Sequence, residues 1–471
     1  MMLLVVLFAL AAIVWLIPLI HAGRTFQMAT LVLVIGTVLG PSFFAINGPI
    51  QLSLDRLLWI AMFGLVAIQW RMGELRIPQL NRVDAAVAAI TVWLLVSVMI
   101  GGANPANEPP PIAKWLFCIA MPLGLYVIAR ISEVKESDLQ WAYRVLLTLG
   151  CYLAVMALFE VSGLHALVFP TYIVDPTNWE FFGRGRGPLL NPSGNGIVMC
   201  GALAIAVLGV IRSTFRMRVF YLLLCMLLVL GVYCTLTRSA WMGAIATIAV
   251  VALIFSPRWV RVLGLATAVL IGGAGVLGLK DQLLRMKRDK NLTSADAEKS
   301  IQLRPLLAVV AWEMFKDRPI TGHGFGHYFA HSGKYHSIRS YDMPLEDARP
   351  YAQHNVFLAM LVDSGLIGLS MLSVMLISIT SMAWNLARNE GHSVAIRCGG
   401  LLWLGVFAAY FCNGMFQDVT IIPMVNMFLF FAAGLAVTLY ERGVVTRRVE
   451  RPMPLDNFSV VSVAPSGAVA Q

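Results

Sequence analysis

Charged side chains are scarce in this sequence. Only 13% of the 471 residues are charged, whereas 59% are hydrophobic, and soluble domains carry about 25% charged residues. The deficit excludes a water-soluble enzyme, a coiled coil and a disordered chain. Because a helix needs about 20 apolar residues to cross a bilayer, the composition predicts an all-α, polytopic membrane protein.

Closely spaced cysteines are also missing. The seven cysteines all lie within apolar runs, and none has a second cysteine at a spacing typical of zinc ligands. We interpret them as small apolar packing residues, which excludes a secreted disulfide scaffold. At the N-terminus, Met-Met-Leu-Leu leads into an apolar stretch without a basic segment, which favours a retained membrane span over a signal peptide.

Apolar runs long enough to cross a membrane recur along most of the chain. Hydropathy predicts thirteen candidate spans, which would place the N-terminus outside the cell. They cover residues 2–20, 28–46, 54–70, 83–101, 112–130, 139–161, 195–212, 219–236, 239–256, 259–279, 355–383, 397–413 and 421–440.

Lys and Arg residues are distributed unevenly between the two sides that these spans define. One side has 17 of them, whereas the short loops of the other side have five: Arg56, Lys114, Arg184, Arg186 and Arg238. Because cytoplasmic loops are enriched in Lys and Arg, the first side is predicted to be cytoplasmic. The net charge of +10 therefore needs no nucleic-acid partner to explain it.

This topology divides the chain into four regions. Residues 1–279 contain spans 1–10, residues 280–353 form a long external loop, residues 354–440 contain spans 11–13, and residues 441–471 form a cytoplasmic tail predicted to be disordered. A loop of this length between spans is usually functional. We therefore expect the chemistry on the external face.

Two external segments place arginines near the membrane boundary, where an unpaired cation is costly. Arg238 lies in a short turn between two spans, either as an interfacial anchor or as a ligand for an anion. Arg184 and Arg186 alternate with glycines, so an anion could approach both the backbone and the guanidinium groups. A flexible basic loop is the alternative interpretation of that segment.

Arg304 directly precedes Pro305 and an apolar run that extends to Phe315. Proline favours the first helical turn, so Arg304 is predicted to stand at a helix N-terminus, which attracts anions. An ordinary amphipathic loop helix would have the same pattern.

A segment rich in glycine and histidine follows. Gly322 and Gly324 indicate a tight turn lined by backbone. His323, His327 and His331 are spaced by four residues, which could align three metal ligands on a helix. The glycines oppose a helix, however, and no cysteine or carboxylate completes the set, so no metal is expected. Because the 13 aspartates also contain no Asp-x-Asp pair, arginines would have to stabilise a phosphate leaving group.

His354 lies just before an apolar helix that Asn355 is predicted to cap. The positive end of a helix disfavours imidazolium, so His354 would be neutral and competent as a general base. An interfacial histidine without chemistry is the alternative. Asp363 follows nine residues later, about half a turn out of phase, so we expect a packing role or a polar contact rather than a dyad with His354.

The order of these motifs resembles the bacterial O-antigen ligase/polymerase superfamily. The resemblance is specific over residues 180–370, whereas the earlier spans match only in being apolar. The matching elements are Arg184-x-x-Gly187, Asn191-Pro192, Thr237-Arg238-Ser-Ala, Arg304 fifteen residues before Pro319, Gly322-x-Gly324-x-Gly326, His354-Asn355-x-Phe-Leu, and Asp363-x-Gly365-Leu-Ile-Gly368.

The resemblance implies a C-type membrane glycosyltransferase in the bacterial inner membrane, surrounded by membrane lipid, with its active site on the periplasmic face. The donor would be a glycan linked to undecaprenyl diphosphate, the acceptor would be a glycan or lipid A–core, and no cofactor or metal would be needed. The family's essential arginines would be Arg184 or Arg186 together with Arg304, with Arg238 as a further match. Its essential histidine would be His354.

The sequence departs from the family in three respects, and other functions stay open. Asp363 stands where glutamate is commoner, the glycine-rich segment contains extra histidines, and thirteen spans exceed the usual twelve. The family contains lipid A–core ligases, repeat-unit polymerases and protein O-oligosaccharyltransferases, among which the sequence does not distinguish. A transporter of lipid-linked sugars fits the spans, but charge inside them is sparse and no inverted repeat is seen. A non-catalytic assembly partner would leave the arginines and histidine without a role.

Overall fold

The predicted all-α class is confirmed. The computed structural model is 76% helical, and its described strands are a two-residue antiparallel pair, Ala45–Ile46 with Leu52–Ser53. It describes residues 25–46, 51–75, 78–102, 110–259, 261–262 and 294–450, with the backbone alone for 294–301 and 444–450.

Thirteen α-helices lie in these ranges. In chain order they are α1 Thr25–Val38, α2 Leu54–Arg71, α3 Arg82–Ile100, α4 Pro111–Ile131, α5 Glu136–Ser162, α6 Pro192–Arg212, α7 Phe215–Cys234, α8 Arg238–Phe255, α9 Ser294–Asp317, α10 Tyr328–Ser332, α11 Val356–Arg388, α12 Val394–Gly414 and α13 Pro423–Glu450. A π-helical turn, Leu116–Ala120, interrupts α4, and 3-10 helices cover His165–Leu167, Thr171–Val174, Gly333–Ser337, Leu345–Ala348 and Val419–Ile421.

Within the described ranges, nine helices are long and apolar enough to cross a membrane, namely α3 to α8 and α11 to α13. The chain is therefore a multi-pass membrane protein, as predicted. Of the four other predicted spans, residues 2–20 lie outside the described residues, and so does nearly all of 259–279. The last helix continues to Glu450, into the region predicted to be a disordered tail, and the rest of that tail is not described.

Two predicted spans near the N-terminus are helices that do not meet these criteria. The prediction for 28–46 corresponds to α1, which has 14 residues and ends before Gly40-Pro41, a pair that breaks helices. The prediction for 54–70 corresponds to α2, which has 18 residues and carries Asp55 and Arg56 in its first turn.

Helix α13 is central in the bundle, and α7 is peripheral. In the most apolar 18-residue window of each helix, 89% of the α13 residues are buried but only 22% of those in α7. Close packing at the centre depends on small residues: a Cβ atom at Gly434 of α13 would lie 2.5 Å from the Tyr126 carbonyl oxygen of α4. Membrane lipid is therefore expected against α7 rather than α13.

A buried ion-pair cluster closes one end of the bundle. The Arg130 guanidinium of α4 donates to both carboxylate oxygens of Asp84 in α3, each at 2.8 Å, and pairs with Glu441 of α13 at 2.8 Å. Such a two-pronged pair fixes geometry as well as charge. We call this the Arg130 end; the charge distribution predicts that it faces the cytoplasm.

The opposite end carries the predicted external cations and the long loop, and we call it the His354 end. Its central feature is a break in α11 at Gly365, whose φ of 66° is left-handed. The glycine-rich turn docks into this break. There the amides of His323 and Gly324 donate to the carbonyls of Val362 and Asp363, at 2.8 and 2.9 Å.

Beyond the break, the turn also satisfies the amides of α11. Leu366 N–H donates to Pro319 O at 2.9 Å and Ile367 N–H to Ile320 O at 3.3 Å. In a continuous helix these two amides would bond to the carbonyls of residues 362 and 363. The turn thus replaces the missing helical hydrogen bonds, as an interrupted helix in a membrane protein requires.

Candidate active site

Three residues singled out from the sequence converge at the His354 end. Arg238 is the first residue of α8, Arg304 lies in α9, and His354 stands two residues before α11. Arg304 interacts electrostatically with both Arg238 and His354. The fold therefore assembles one cationic site from the α7–α8 turn, the long loop and the start of α11.

The predicted position of Arg304 at a helix N-terminus is wrong. Helix α9 spans Ser294–Asp317 and contains Pro305 in its interior. The residues before the proline are mostly good helix formers. The helix therefore tolerates the loss of the one hydrogen bond that proline cannot donate. Arg304 therefore gains nothing from a helix terminus, whereas Arg238 stands at one.

The 413–418 turn after α12 forms one wall of the site. The Arg304 guanidinium lies over the Phe416 ring, 5.3 Å from its centroid. Ser239, next to Arg238, is bonded through its hydroxyl to the side-chain oxygen of Asn413 at 2.9 Å. The first contact places the turn between α12 and α13 against Arg304, and the second joins the start of α8 to the end of α12.

Two charged residues at this site were missed by the sequence reasoning. Asp418 interacts electrostatically with His354 and also with Lys114, near the start of α4. The Lys114 ammonium lies 5.1 Å from the centroid of the Phe325 ring. An acidic residue in a short external turn was the available signal for Asp418, but its closeness to His354 depends on tertiary packing.

His354 is predominantly neutral at neutral pH. Its pKa lies below the ordinary value, first because surrounding protein desolvates the ring and second because Arg304 repels the imidazolium, while Asp418 acts in the opposite direction. A neutral His354 was predicted from the helix terminus, whereas the main cause of its lowered pKa is desolvation. A neutral imidazole exposed to solvent can accept a proton.

Asn355 caps α11, as predicted. Its side-chain oxygen accepts the amides of Phe357 and Leu358 at 2.9 and 3.0 Å. Its side-chain nitrogen donates to the Met415 carbonyl at 3.1 Å. One side chain therefore fixes both the start of α11, next to His354, and the turn that carries Phe416.

Arg184 lies beside the α7–α8 turn. The adjacent Gly185 donates its amide to the Cys234 carbonyl at 2.8 Å, and Asn195 donates to the Gly185 carbonyl at 3.0 Å. A Cβ atom at Gly185 would lie 2.6 Å from that of Ala157, so only glycine allows this approach. The contact brings the Arg184 segment to the turn that precedes Arg238.

Arg186, in contrast, points into its own loop and is only 1% exposed. Its guanidinium donates to the carbonyls of Ile173, Asp175, Asn178 and Glu180. The Glu160 carboxylate accepts the amides of Arg186 and Gly187 at 3.2 and 2.9 Å. With its donors occupied by carbonyls, Arg186 organises the external loop and does not line the cationic site.

Gly322, Gly324 and Asp363 belong to the joint at the break in α11. Both glycines have positive φ, 72° and 112°, which confirms the predicted tight turn. The Asp363 carboxylate accepts the Gly326 amide at 3.0 Å, and its backbone carbonyl also accepts the Ser97 hydroxyl at 2.9 Å. Asp363 therefore makes the polar contact expected of it, about two helical turns after the start of α11.

The extra histidines bind backbone carbonyls. A ring nitrogen of His323 lies 2.8 Å from Met314 O, His331 lies 3.0 Å from Gly101 O, and His327 lies 3.2 Å from Gly102 O. His327 and His331 hold the glycine-rich segment to the end of α3, whereas His323 holds it to α9. Across the part of the chain that the structure describes, no group of three or more His, Cys, Asp or Glu residues is placed to hold a metal ion.

A family model described as O-antigen ligase matches residues 221–373. That segment runs from α7 through the long loop to the middle of α11, and it includes Arg238, Arg304 and His354, whereas Arg184 and Arg186 precede it. No curated protein sequence matches the chain. The family match confirms the resemblance that the motifs predicted: over these residues the chain is similar to the O-antigen ligase family.

Proposed function

We propose that this protein is a membrane glycosyltransferase that moves a glycan from undecaprenyl diphosphate to a hydroxyl group of lipid A–core. The observation that carries the proposal is the convergence of Arg238, Arg304 and His354 from three separate elements. The family match supports the reaction class, and the distribution of charge supports a site on the periplasmic face of the bacterial inner membrane.

The two arginines would hold the donor diphosphate. The pKa of Arg304 is lowered mainly by burial and, to a smaller extent, by repulsion from Arg238. An anion between the two arginines would relieve this repulsion. A guanidinium offers a planar pair of donors that fits phosphate oxygens, and the dipole of α8 adds to the positive potential at Arg238. Arg184 would extend this site, and Arg186 would be a positioning residue.

His354 would act as the general base. Its ring accepts the proton of the acceptor hydroxyl while the hydroxyl oxygen forms a bond to the anomeric carbon. The anomeric carbon–oxygen bond breaks, and its electron pair stays on the diphosphate, whose new charge the arginines stabilise. Attack opposite to the leaving group inverts the anomeric centre, and Asp418 would stabilise the imidazolium that forms.

The proposal is tested in cells that lack the gene. Long glycan chains should accumulate on the polyprenyl carrier, and none should be found on lipid A–core. Single repeat units that accumulate on the external leaflet would identify a repeat-unit polymerase instead. Units confined to the cytoplasmic leaflet would overturn the enzyme assignment in favour of a transporter.

The pH dependence of transfer should report the His354 pKa. Because the pKa of His354 lies below its ordinary value of 6.5, the base is neutral above that lowered pKa, so activity should rise with pH and level off before pH 7. Asp418→Asn removes a charge that raises this pKa. We therefore expect the acid limb of kcat/KM to move to still lower pH in that variant.

Asp342→Asn is the matched control for this profile. Asp342 lies in the long loop before His354, in a left-handed conformation that asparagine also tolerates. The Asp342→Asn variant should leave the acid limb unchanged. An acid limb above pH 6.5 in the wild-type protein, or one that Asp418→Asn does not move, would contradict the assignment of His354 as the base.

A further inference from the structure

A groove lies between α1 and α5, and none of its lining residues belongs to the cationic site. It encloses about 480 Å³. Half of its eight lining residues are aliphatic, and the others are two aromatic residues, one threonine and one cation. The lining residues are Val34, Val38, Trp141, Arg144, Val145, Thr148, Leu149 and Tyr152.

The cation, Arg144, lies inside the membrane span of α5. This helix has 27 residues and is about 40 Å long, whereas the hydrocarbon core is about 30 Å thick. Measured along the helix axis, Arg144 lies about 12 Å from Glu136, the first residue of the helix. If the span is centred, its Cα lies about 7 Å inside the hydrocarbon, within reach of phosphate groups at the Arg130 end.

The guanidinium group of Arg144 has no hydrogen-bond or ion-pair partner among the described residues. The residue is exposed, and its backbone carbonyl accepts the Thr148 hydroxyl at 2.9 Å. Asp138, one to two turns earlier, is occupied by Gln27 and by the amide of Lys135. An uncompensated charge at this depth is costly, so an anion in the groove would stabilise the protein.

The dimensions of the groove match one leaflet. Trp141 and Tyr152 are separated by about 16 Å along the helix, close to half the ~30 Å thickness of the core. Between them, Val34, Val145 and Leu149 provide an aliphatic track. The groove therefore offers a cation near a headgroup and an apolar path for one acyl chain.

We infer that this groove is a binding site for an anionic phospholipid of the leaflet at the Arg130 end, with its phosphate on Arg144 and an acyl chain along α1 and α5. Phosphatidylglycerol has the required chemistry. None of the lining residues is acidic, so the groove provides no partner for the ammonium group of phosphatidylethanolamine. The single cation and single track fit a lipid with one negative charge.

The test uses the purified full-length protein in neutral detergent, titrated with phosphatidylglycerol or phosphatidylcholine. Bound lipid is counted by native mass spectrometry, and Tm is followed in parallel. Phosphatidylglycerol should bind and raise Tm, whereas phosphatidylcholine should not. Arg144→Gln should weaken phosphatidylglycerol binding about tenfold, because a charge-assisted hydrogen bond to phosphate is lost.

Two further measurements separate a lipid site from general charge attraction. Arg216→Gln removes one exposed cation from α7 outside the groove, and it should bind phosphatidylglycerol like the wild type. Without added lipid, Arg144→Gln should be at least as stable as the wild type, because it removes an uncompensated charge. Equal phosphatidylglycerol affinity in the wild type and Arg144→Gln, or equal loss in both variants, would overturn the inference.

Discussion

Replacing His354 with alanine is expected to abolish glycan transfer while the protein still inserts into the membrane. A positioned general base contributes about 10²–10⁴-fold to rate, so transfer from a polyprenyl-diphosphate donor should fall by at least two orders of magnitude. The ring is exposed and has one described ring contact, with Tyr351 at 6.3 Å. Its loss should therefore cost little packing energy. The measurement is transfer by purified protein, together with the amount of membrane-inserted protein.

His165→Ala is the matched control for this experiment. His165 is also an exposed histidine at the His354 end, with one described ring contact, to Phe182 at 6.2 Å, but it is not part of the cationic site. It should retain wild-type activity. If His354→Ala kept a tenth or more of the wild-type rate, His354 would not be the base.

Replacing Gly365 with alanine should have the largest effect on stability. The glycine has a φ of 66°, and an added Cβ atom would lie 2.1 Å from the Ile320 carbonyl oxygen, a backbone atom that cannot turn aside. A left-handed non-glycine residue costs about 1–2 kcal/mol, and overpacking typically costs a further ~1–3 kcal/mol. We expect a markedly lower Tm in detergent and a reduced yield of folded protein.

Gly333→Ala, in the long loop before α11, provides the comparison. Gly333 has an ordinary helical φ of −51°, and no atom lies within 4 Å of an added Cβ. This variant should have the Tm of the wild type or slightly above it. Equal Tm values for both variants would mean that the break in α11 is not locked by the glycine-rich turn.

Local chemistry made several features predictable from the sequence. The cap at Asn355 follows from a side chain that accepts amides of the first helical turn, and the tight turn at Gly322 and Gly324 follows from glycine's freedom at positive φ. Nine of the thirteen predicted membrane spans correspond to helices that are long and apolar enough to cross a membrane. Each of these signals is contained within a few neighbouring residues.

Features that depend on distant parts of the chain were not predictable. Arg184 and Arg186 look equivalent in sequence, but the guanidinium of Arg186 is bonded to the carbonyls of Ile173 and Glu180 and is buried in its own loop. Pro305 suggested a helix start, whereas the helix already extends back to Ser294. Asp418 belongs to the site only because α12 and α13 carry its turn to His354. In each case, tertiary contacts rather than local preference decide the outcome.

Because α11 is broken at Gly365, His354 is attached to a short helical piece that is separate from the rest of α11. This piece comprises residues 356–364. Its carbonyls at the break accept hydrogen bonds from amides of the glycine-rich turn and from the side chains of Ser97 and Trp93 in α3. Mechanically, this short helical piece belongs to the external loop rather than to the membrane helix below it. The height of His354 above the membrane is therefore set by the glycine-rich turn and α3, and not by the part of α11 that crosses the bilayer.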